Sequence, residues 1–327
     1  FRFAFSGDLG GQNVCRDAEE GYPIFEKIDA DDPRMFIGLG DMIYADGTCE
    51  KTGKFGNEQI PGDFGPAHTL EGFRKHWAYN RADESHRDLL ASTVYMPVWD
   101  DHEIINDAGP HHDSGTEPPY TEGKSLMPTA RAAFIEWNPY IPTKADMERL
   151  YRSRRWGKHA EFFVLDTRSY RDSNKASDSG DEDKTMLGDD QLDWFLDEIK
   201  KSDATWKFVV SSVPISIPTG TEESGHDGWS DAHGHGGFES EMRAIVAELS
   251  SAEVDNVVFL TTDVHFATGF RLKTFVPDSP IHEFVVGPLS AGLYPTDDVD
   301  PTFDPERLYV HAPESPDAPT DFQTAKK

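Results

Sequence analysis

Four apolar runs in this chain each end in a side chain that can bind a metal ion. The runs end at Asp8, Asp41, Asp101 and His265, and each has the composition of a β-strand. In an open α/β sheet, ligands bind in the crevice outside the carboxyl ends of the strands. Carboxylates and an imidazole gathered at one such edge therefore predict a cation site. The phenol of Tyr44, three residues after Asp41, favours a hard, redox-capable metal such as ferric iron.

The rest of the chain alternates predicted helices and strands, as expected for an α/β fold. Helices are predicted over 14–30, 130–138, 187–201 and 238–249. Strands are predicted over 162–166, 206–213, 257–261, 267–275 and 281–286. Most of these strands are near-continuous apolar runs, which are typical of sheets buried on both faces. Long loops are predicted over 171–184, over 219–237 and from residue 295 onward.

The length of 327 residues allows one large domain or two small ones. No stretch has the composition of an interdomain linker, so we expect a single catalytic domain over residues 1–294. Residues 295–327 are rich in proline and aspartate. We expect them to form an extension that packs on the same domain rather than folding alone.

The charge of the chain limits its partners. A formal net charge of −29 disfavours binding to nucleic acids or anionic membranes through a basic surface. No apolar run approaches the roughly 18 residues of a membrane span, so we expect no membrane insertion. The chain opens on a predicted strand without a signal peptide, which indicates a mature or trimmed form of a secreted or periplasmic protein. We expect a monomer that acts on a small-molecule substrate.

Two cysteines occupy similar positions in two of the predicted loops. Cys15 follows Asp8 by seven residues, and Cys49 follows Asp41 by eight. If the two strands are neighbours, the loops meet on one face and a disulfide can form, which fits an exported protein. The alternative is two unrelated thiols, because spacing alone does not fix the geometry.

Two short motifs contain several of the candidate metal-binding and catalytic residues. In GDMIY, Asp41 can bridge two metal ions and Tyr44 can reach the same ion; the alternative is a turn with a buried tyrosine. In WDDHE, Asp101 can bind a metal while His102 protonates a departing alkoxide. The alternative for WDDHE is a helix cap, with Asp100 as the capping residue.

Further candidates lie in three other segments. In TTDVH, Asp263 and His265 alternate at a strand end and so point the same way. In LDTRSYRD, Arg168 and Arg171 are either bidentate partners of a phosphoryl group or ion pairs with some of the many acids. Loop histidines are common, so the remaining ones are weaker candidates for a metal or substrate lid: His111, His112, His226, His233 and His235.

Six segments, in their order along the chain, resemble the alkaline phosphatase D branch of the calcineurin-type metallophosphoesterases: FRFAFSGD, GDMIY, WDDHE, VLDTRSYRD, MLGDDQLDWF with WKFVVSSVP, and TTDVHFATGF. The resemblance implies a four-layer α/β/β/α sandwich, in which helices flank two mixed β-sheets and the metal site lies at the carboxyl ends of the strands. It also implies a binuclear or multinuclear metal centre outside the cytoplasm. That centre would hydrolyse phosphomonoesters, and also phosphodiesters, through a metal-activated hydroxide.

The resemblance assigns roles to residues of this chain. It implies that His102 and Arg168 are catalytic. The tyrosine, which purple acid phosphatases share, implies Fe³⁺, and the carboxylates favour Ca²⁺ beside it. Another divalent metal, such as Mn²⁺ or Zn²⁺, is the alternative in the second site. The metal ligands that the resemblance implies are Asp8, Asp41, Tyr44, Asp101, Asp263 and His265.

The sequence departs from the family pattern at the first strand. Many members place a cysteine ligand where this chain has Asp8, and Cys15 lies too far along to be an obvious replacement. A carboxylate in place of the softer thiolate would alter the redox potential and the metal preference. The family's separate N-terminal sandwich module is also missing from this sequence, which we expect to be either trimmed or without that module from the outset.

Two other functions use the same motifs. One is a phosphodiesterase of phospholipase D type, which differs in the shape of the site rather than in the ligand set. The other is a non-catalytic metal-binding surface protein, against which the intact ligand set argues.

Overall fold

Two main β-sheets and a set of helices make up the computed structural model, which describes residues 1–111, 113–114, 121–140, 149–178, 184–220, 224–231, 234, 236–273, 281–296 and 298–313. Within these residues the helices are α1 (Ile24–Ala30), α2 (Leu70–Arg81), α3 (Glu84–Ser92), α4 (Gly123–Trp137), α5 (Asp189–Lys201) and α6 (Glu239–Ser251). The strands are β1 (Phe3–Ser6), β2 (Met35–Gly38), β3 (Val94–Pro97), β4 (Asp113–Ser114), β5 (Thr121–Glu122), β6 (Arg152–Trp156), β7 (Ala160–Val164), β8 (Trp206–Val210), β9 (Val257–Thr261), β10 (Ala267–Leu272), β11 (Ile281–Val285) and β12 (Pro305–His311).

The smaller main sheet is built from the first three strands, in the order β1-β2-β3. Its described strands are all parallel, so the prediction that both sheets are mixed is wrong for this one. The reason is that α1 connects β1 to β2, and α2 with α3 connects β2 to β3. Helical crossovers of this kind join parallel strands. The carboxyl ends of all three strands therefore meet at one edge.

The larger sheet has the order β12-β10-β11-β9-β8-β7-β6. It is mixed: β11, β9, β8 and β7 are parallel, whereas β6 and β10 run antiparallel to the strands beside them. The short strands β4 and β5 form a separate pair. All strands predicted between 162 and 286 form, with small differences at their ends. Residues 274–275 of the predicted 267–275 strand lie outside the described residues.

Neither edge strand of the larger sheet was predicted from the sequence. The sequence of β6 is RSRRW, and its charged side chains are typical of an edge that does not pair further. The strand β12 lies in the tail that was predicted to be a loop, and it pairs with β10. The loop prediction is therefore wrong for 305–311. The domain boundary at residue 294 stays a prediction.

Only the last part of the helix predicted over 14–30 forms. Gly21 has φ of 62°, a value that a right-handed helix does not contain, and the backbones of Asp17 and Gly21 are hydrogen-bonded to each other in an antiparallel bridge. The helix α1 begins after Pro23, and the residues before it form a loop. The helices α2 and α3 were not predicted; each begins at a side chain that caps it, Thr69 and Asp83. No described helix has both the length and the apolar composition needed to cross a membrane.

Three apolar clusters pack the helices and sheets. Ile37 of β2 and Phe162 of β7 belong to one cluster, which contains side chains from both main sheets. Their chain neighbours belong to the other two clusters, because successive side chains of a strand point to opposite faces. Phe36 packs with residues of α1 to α4, and Phe163 packs with residues of α5 and α6.

Candidate metal centre

The loops that follow β1, β2 and β9 have unusual backbone conformations at four predicted ligands. Asp8, Asp41, Asp263 and His265 have φ of 56°, 53°, 81° and 58°. Non-glycine residues rarely adopt this left-handed region, and such conformations cluster at functional sites. The first two loops are also joined directly, since the backbone N–H of Leu9 donates to the carbonyl of Asp41 at 2.8 Å.

A cluster of carboxylates lies at this edge. Oxygens of Asp41, Asp100, Asp101 and Asp263 lie within 4.8 Å of one another. The first three residues are buried and Asp263 is half-buried. Oδ2 of Asp41 and Oδ2 of Asp100 have no hydrogen-bond partner among the described residues. Burial, together with the neighbouring carboxylates, raises the pKa of Asp41 well above its usual range. A bound cation would satisfy the free oxygens and allow the cluster to ionise.

Asp8, Tyr44 and His265 form the other side of the site. The Tyr44 hydroxyl lies 3.0 Å from Nε2 of His265, and Oδ1 of Asp8 lies 3.6 Å from the same nitrogen. Nδ1 of His265 is hydrogen-bonded to the carbonyl of Gly292. That bond fixes the ring so that Nε2 faces Asp8 and Tyr44, as in histidines that bind metals.

The ionisation of these three groups also suits a metal. Burial raises the pKa of Asp8 to about 7 and raises that of Tyr44 well above its usual value. Burial lowers the pKa of His265 to about 4, so its imidazole is neutral at pH 7. Oδ1 of Asp8 has no hydrogen-bond partner among the described residues. The free oxygen, the buried phenol and the neutral imidazole fit a hard cation such as ferric iron.

His102 lies beside the carboxylate cluster. One of its ring nitrogens lies within 4.8 Å of carboxylate oxygens of Asp41 and Asp101. Its backbone N–H donates to Oδ1 of Asp41 at 3.2 Å and to Oδ1 of Asp101 at 2.8 Å. Burial acts to lower the pKa of His102, but the carboxylates of Asp46 and Asp101 outweigh it and raise this pKa to about 10. The neighbouring carboxylates therefore favour the protonated form of the imidazole.

Arg168 forms ion pairs with acidic side chains, which is one of the two alternatives predicted for it. Its side chain is fully buried. Nε donates to Oδ1 of Asp100 at 2.5 Å, and Nη1 donates to Oδ2 of Asp227 at 2.8 Å. Nη2 lies 3.9 Å from Oδ1 of Asp101. Contact between Arg168 and a phosphoryl group stays a prediction. Arg171 is also buried, with Nε donating to the carbonyl of Thr167.

Asp100 is not a helix cap. The residues after it form a turn, and the next described helix, α4, begins at Gly123. The carboxylate of Asp100 instead accepts hydrogen bonds from Arg168 and from Ser212. Asp100 therefore belongs to the carboxylate cluster, whereas within WDDHE only its neighbour Asp101 was predicted to be a metal ligand.

Two acids beside the cluster were missed. Oxygens of Asp101, Asp107 and Asp227 lie within 4.8 Å of one another. Asp227 belongs to the loop over 219–237, in which only the histidines were considered as candidate ligands. His226 of that loop lies close to the backbone, with Nδ1 2.6 Å from the carbonyl of Thr219. His111 is exposed. His112, His233 and His235 lie outside the described residues.

Glu103 holds the loops after β2 and β3 together. Its carboxylate accepts three backbone N–H groups, from Asp41 at 2.9 Å, Met42 at 2.7 Å and Asp100 at 2.7 Å. Glu103 is buried. No role was predicted for Glu103, the last residue of WDDHE, because only folding brings the backbone of GDMIY close to its carboxylate.

The predicted disulfide joins Cys15 and Cys49, which are 34 residues apart. It links the loop after β1 to the loop after β2. Gly11 of the first loop packs directly on Tyr44: a Cβ atom at Gly11 would lie 2.0 Å from Cβ of Tyr44. The disulfide therefore links the two loops next to Tyr44, a candidate metal ligand.

We expect the double variant Cys15→Ala/Cys49→Ala to be less stable than the parent by about 4 kcal/mol, because a cross-link of this loop length restricts the unfolded chain. Urea unfolding of both proteins measures the difference. Treating the parent with a reductant should reproduce the loss, whereas the variant should not respond to the reductant. Equal unfolding midpoints for parent and variant would contradict a stabilising role for the cross-link.

The fold is shared with solved structures of phosphatases. The chain superimposes on the solved structure of PhoD with a TM-score of 0.71 and 26% identity, over 90% of this chain and 57% of that one. The structure of purple acid phosphatase PPD1 from yellow lupin (Lupinus luteus) seeds shares the fold, with a TM-score of 0.56 and 14% identity, over 95% of this chain and 47% of that one.

The chain belongs to the PhoD-like phosphatase family, whose model matches residues 4–320. Alkaline phosphatase D of Bacillus subtilis (strain 168) is 28% identical over 270 residues, which cover 77% of this chain and 44% of that protein. The family resemblance seen in the sequence motifs is confirmed. The chain spans about half the length of these relatives.

Proposed function

We propose that this chain is a metal-dependent phosphoester hydrolase of alkaline phosphatase type, acting on phosphomonoesters and also on phosphodiesters. One observation carries the proposal. Buried carboxylate oxygens of Asp8 and Asp41 lack hydrogen-bond partners among the described residues, and they lie at the sheet edge that also holds His102. Carboxylate oxygens without hydrogen-bond partners suit metal binding, and an imidazole beside them suits proton donation.

The metal ligands are assigned from the two sides of the site. We assign ferric iron to Asp8, Asp41, Tyr44 and His265. We assign a second ion to Asp41, Asp101 and Asp263, with Ca²⁺ favoured because hard cations prefer oxygen ligands; Mn²⁺ or Zn²⁺ is the alternative there. When bound, the ions would supply a hydroxide nucleophile at neutral pH and positive charge for the phosphoryl oxygens.

Three other side chains of the site donate a proton or hold the site residues in place. His102 donates a proton to the departing oxygen of the ester, which lowers the cost of breaking the bond to phosphorus. Glu103 fixes the backbone that carries Asp41 and Asp100, through the three N–H groups that it accepts. Arg168 holds Asp100 and Asp227 at the same edge; as a catalytic residue it would contact the phosphoryl group through Nη2.

A four-layer α/β/β/α arrangement is part of the proposal. It is supported by the three apolar clusters, one with side chains of both sheets and one on each side with helical side chains. Residues 1–294 would form the catalytic domain, with 295–327 packed on it. Secretion or export to the periplasm is supported by the disulfide. We also propose a monomeric enzyme.

Initial rates on three substrates test the function. We expect turnover of 4-nitrophenyl phosphate and slower turnover of bis(4-nitrophenyl) phosphate by the metal-loaded protein. Faster hydrolysis of dispersed phosphatidylcholine than of either soluble ester would favour the phospholipase D-type alternative. Metal binding without turnover of any of the three would favour the non-catalytic alternative and contradict the proposal.

Tyr44→Phe tests the iron assignment. A phenolate bound to ferric iron gives a visible charge-transfer band, so the parent protein is expected to be coloured and the variant to lose that band. The phenylalanine keeps the ring that packs on His102 at a centroid distance of 4.2 Å, so the fold should remain. Tyr309→Phe is the matched control and should keep the colour, because Tyr309 is an exposed residue of the edge strand β12 and is not a predicted ligand. A colourless, fully active parent that contains only zinc would refute the assignment.

A further inference from the structure

We propose that Tyr294 determines substrate specificity: its ring stacks on a planar ring in the leaving group of the ester, so that the site prefers nucleotides and similar esters. Tyr294 lies beside the candidate metal centre, where its ring is stacked on the imidazole of His265 with 4.8 Å between centroids. The inference rests on the proposed function and deepens it, because it names the class of substrate that the same site takes.

The loop after β11 holds Tyr294 against His265. The carbonyl of Gly292 is hydrogen-bonded to Nδ1 of His265, and the backbone N–H of Tyr294 donates to the carbonyl of His265 at 3.3 Å. The same loop is joined to the end of β1, since the backbone N–H of Ala291 donates to the carbonyl of Asp8 at 3.1 Å. The position of Tyr294 is therefore set before a substrate arrives, which lowers the entropic cost of binding.

Much of the Tyr294 ring is open to solvent. The residue is 43% exposed, whereas Tyr44 and His265, on the other side of the contact, are buried. Among the described residues, His265 supplies the only ring that packs on Tyr294. The part of the ring that faces away from His265 is thus accessible, and a ligand with a flat ring can bury it.

The place of Tyr294 indicates which part of a substrate it contacts. His265 is a candidate metal ligand, so a phosphoryl group held by the metals would lie on the Nε2 side of its imidazole. Tyr294 lies against a face of the same imidazole, where the leaving group can extend beyond the phosphoryl group. Stacking needs no cation on the protein, which suits a chain with a net charge of −29. A nucleoside is a leaving group of this kind, because every base has an aromatic face.

Kinetics on two esters with the same kind of departing oxygen test the proposal. AMP and ribose 5-phosphate both release a primary alcohol, but only AMP carries a base. Stacking contributes equally to the bound substrate and to the transition state, so Tyr294→Ala should raise KM for AMP and leave kcat unchanged. We expect a rise of about 5- to 150-fold, the range for replacing an aromatic side chain that stacks on a base. KM for ribose 5-phosphate should not change.

Two further variants separate stacking from an indirect effect on His265. Tyr294→Phe keeps the ring and should bind AMP about as well as the parent. Trp206→Ala removes an aromatic side chain of similar exposure, 44%, from the amino end of β8, whereas the site lies at the carboxyl ends of the strands. It should leave both KM values unchanged. Equal rises in KM on the two esters, a loss confined to kcat, or equal losses in Tyr294→Phe and Tyr294→Ala would each overturn the proposal.

Saturation-transfer NMR with adenosine decides the proposal without turnover. In protein loaded with Zn²⁺, which is diamagnetic, the base protons of adenosine should receive more saturation than the ribose protons. This difference should disappear in Tyr294→Ala. Absence of transfer to adenosine in the parent, or unchanged transfer in Tyr294→Ala, would overturn the proposal. Failure of the parent to hydrolyse either ester, with adenosine still bound through Tyr294, would instead contradict the proposed function.

Discussion

Asp8→Ala is expected to remove the iron and abolish turnover together. Asp8 is fully buried at the end of β1, its Oδ1 has no hydrogen-bond partner among the described residues, and His265 and Tyr44 lie on the same side of the site. Loss of a direct ligand should cost more than the roughly 100-fold upper range seen for outer-sphere partners. Elemental analysis and rates on 4-nitrophenyl phosphate measure the two effects.

Asp32→Ala is the matched control for this variant. Asp8 and Asp32 both have left-handed backbones, with φ of 56° and 49°, so each replacement carries the same backbone penalty. Asp32 is exposed and lies next to the end of α1, with its carboxylate 3.7 Å from Arg34. It should keep full metal and full rate. If Asp8→Ala behaved in the same way, the iron would have another ligand. Cys15 would not be available for that role while it is bonded to Cys49.

Asp8→Cys should be partly tolerated. The family resemblance implies a cysteine ligand at this strand end in many members, and for that reason we expect that a thiolate can replace the carboxylate of Asp8. Thiolate is a softer ligand than carboxylate, and we therefore expect a shifted absorption band with reduced turnover. Complete loss of iron in Asp8→Cys would indicate that the rest of this site has adapted to the carboxylate.

His102→Ala is expected to slow hydrolysis of an alkyl phosphate by about 10²–10⁴-fold, the range of general acid catalysis. The loss on 4-nitrophenyl phosphate should be smaller, because that leaving group departs without a proton. The difference between the two esters isolates proton donation from metal binding. His159→Ala is a suitable control, since His159 is exposed, contacts Thr205 at 2.8 Å and lies at the start of β7, away from the carboxyl ends.

Equal losses on both esters would contradict the assignment of His102 as the acid. Loss of metal from His102→Ala would point instead to a ligand role, which its closeness to Asp41 and Asp101 allows.

The strands that carry the site could be predicted because each strand and its candidate ligand are adjacent in the sequence. An apolar run followed directly by an aspartate or a histidine can be recognised without knowing which residues lie near it in the folded chain. The same logic failed for β6 and β12. Their exposed, polar or mixed sequences acquire strand structure only from the neighbour that pairs with them, which local patterns do not reveal.

The supporting residues of the site could not be predicted for a related reason. Asp46 and Glu103 act on atoms brought to them by folding, at separations of 56 and 62 residues. Asp227 has no periodic pattern around it and acts through Arg168. For Arg168 itself the sequence allowed a phosphoryl group or an acid as partner, and only burial and distance favour the acid.

Metal analysis of the purified protein, paired with its visible spectrum and its rate before and after chelation, tests the central claim most directly. We predict iron together with a second metal, calcium being favoured, a visible absorption band, and hydrolysis of 4-nitrophenyl phosphate that disappears on chelation and returns when both metals are restored. Full activity in protein stripped of all metal would contradict the account.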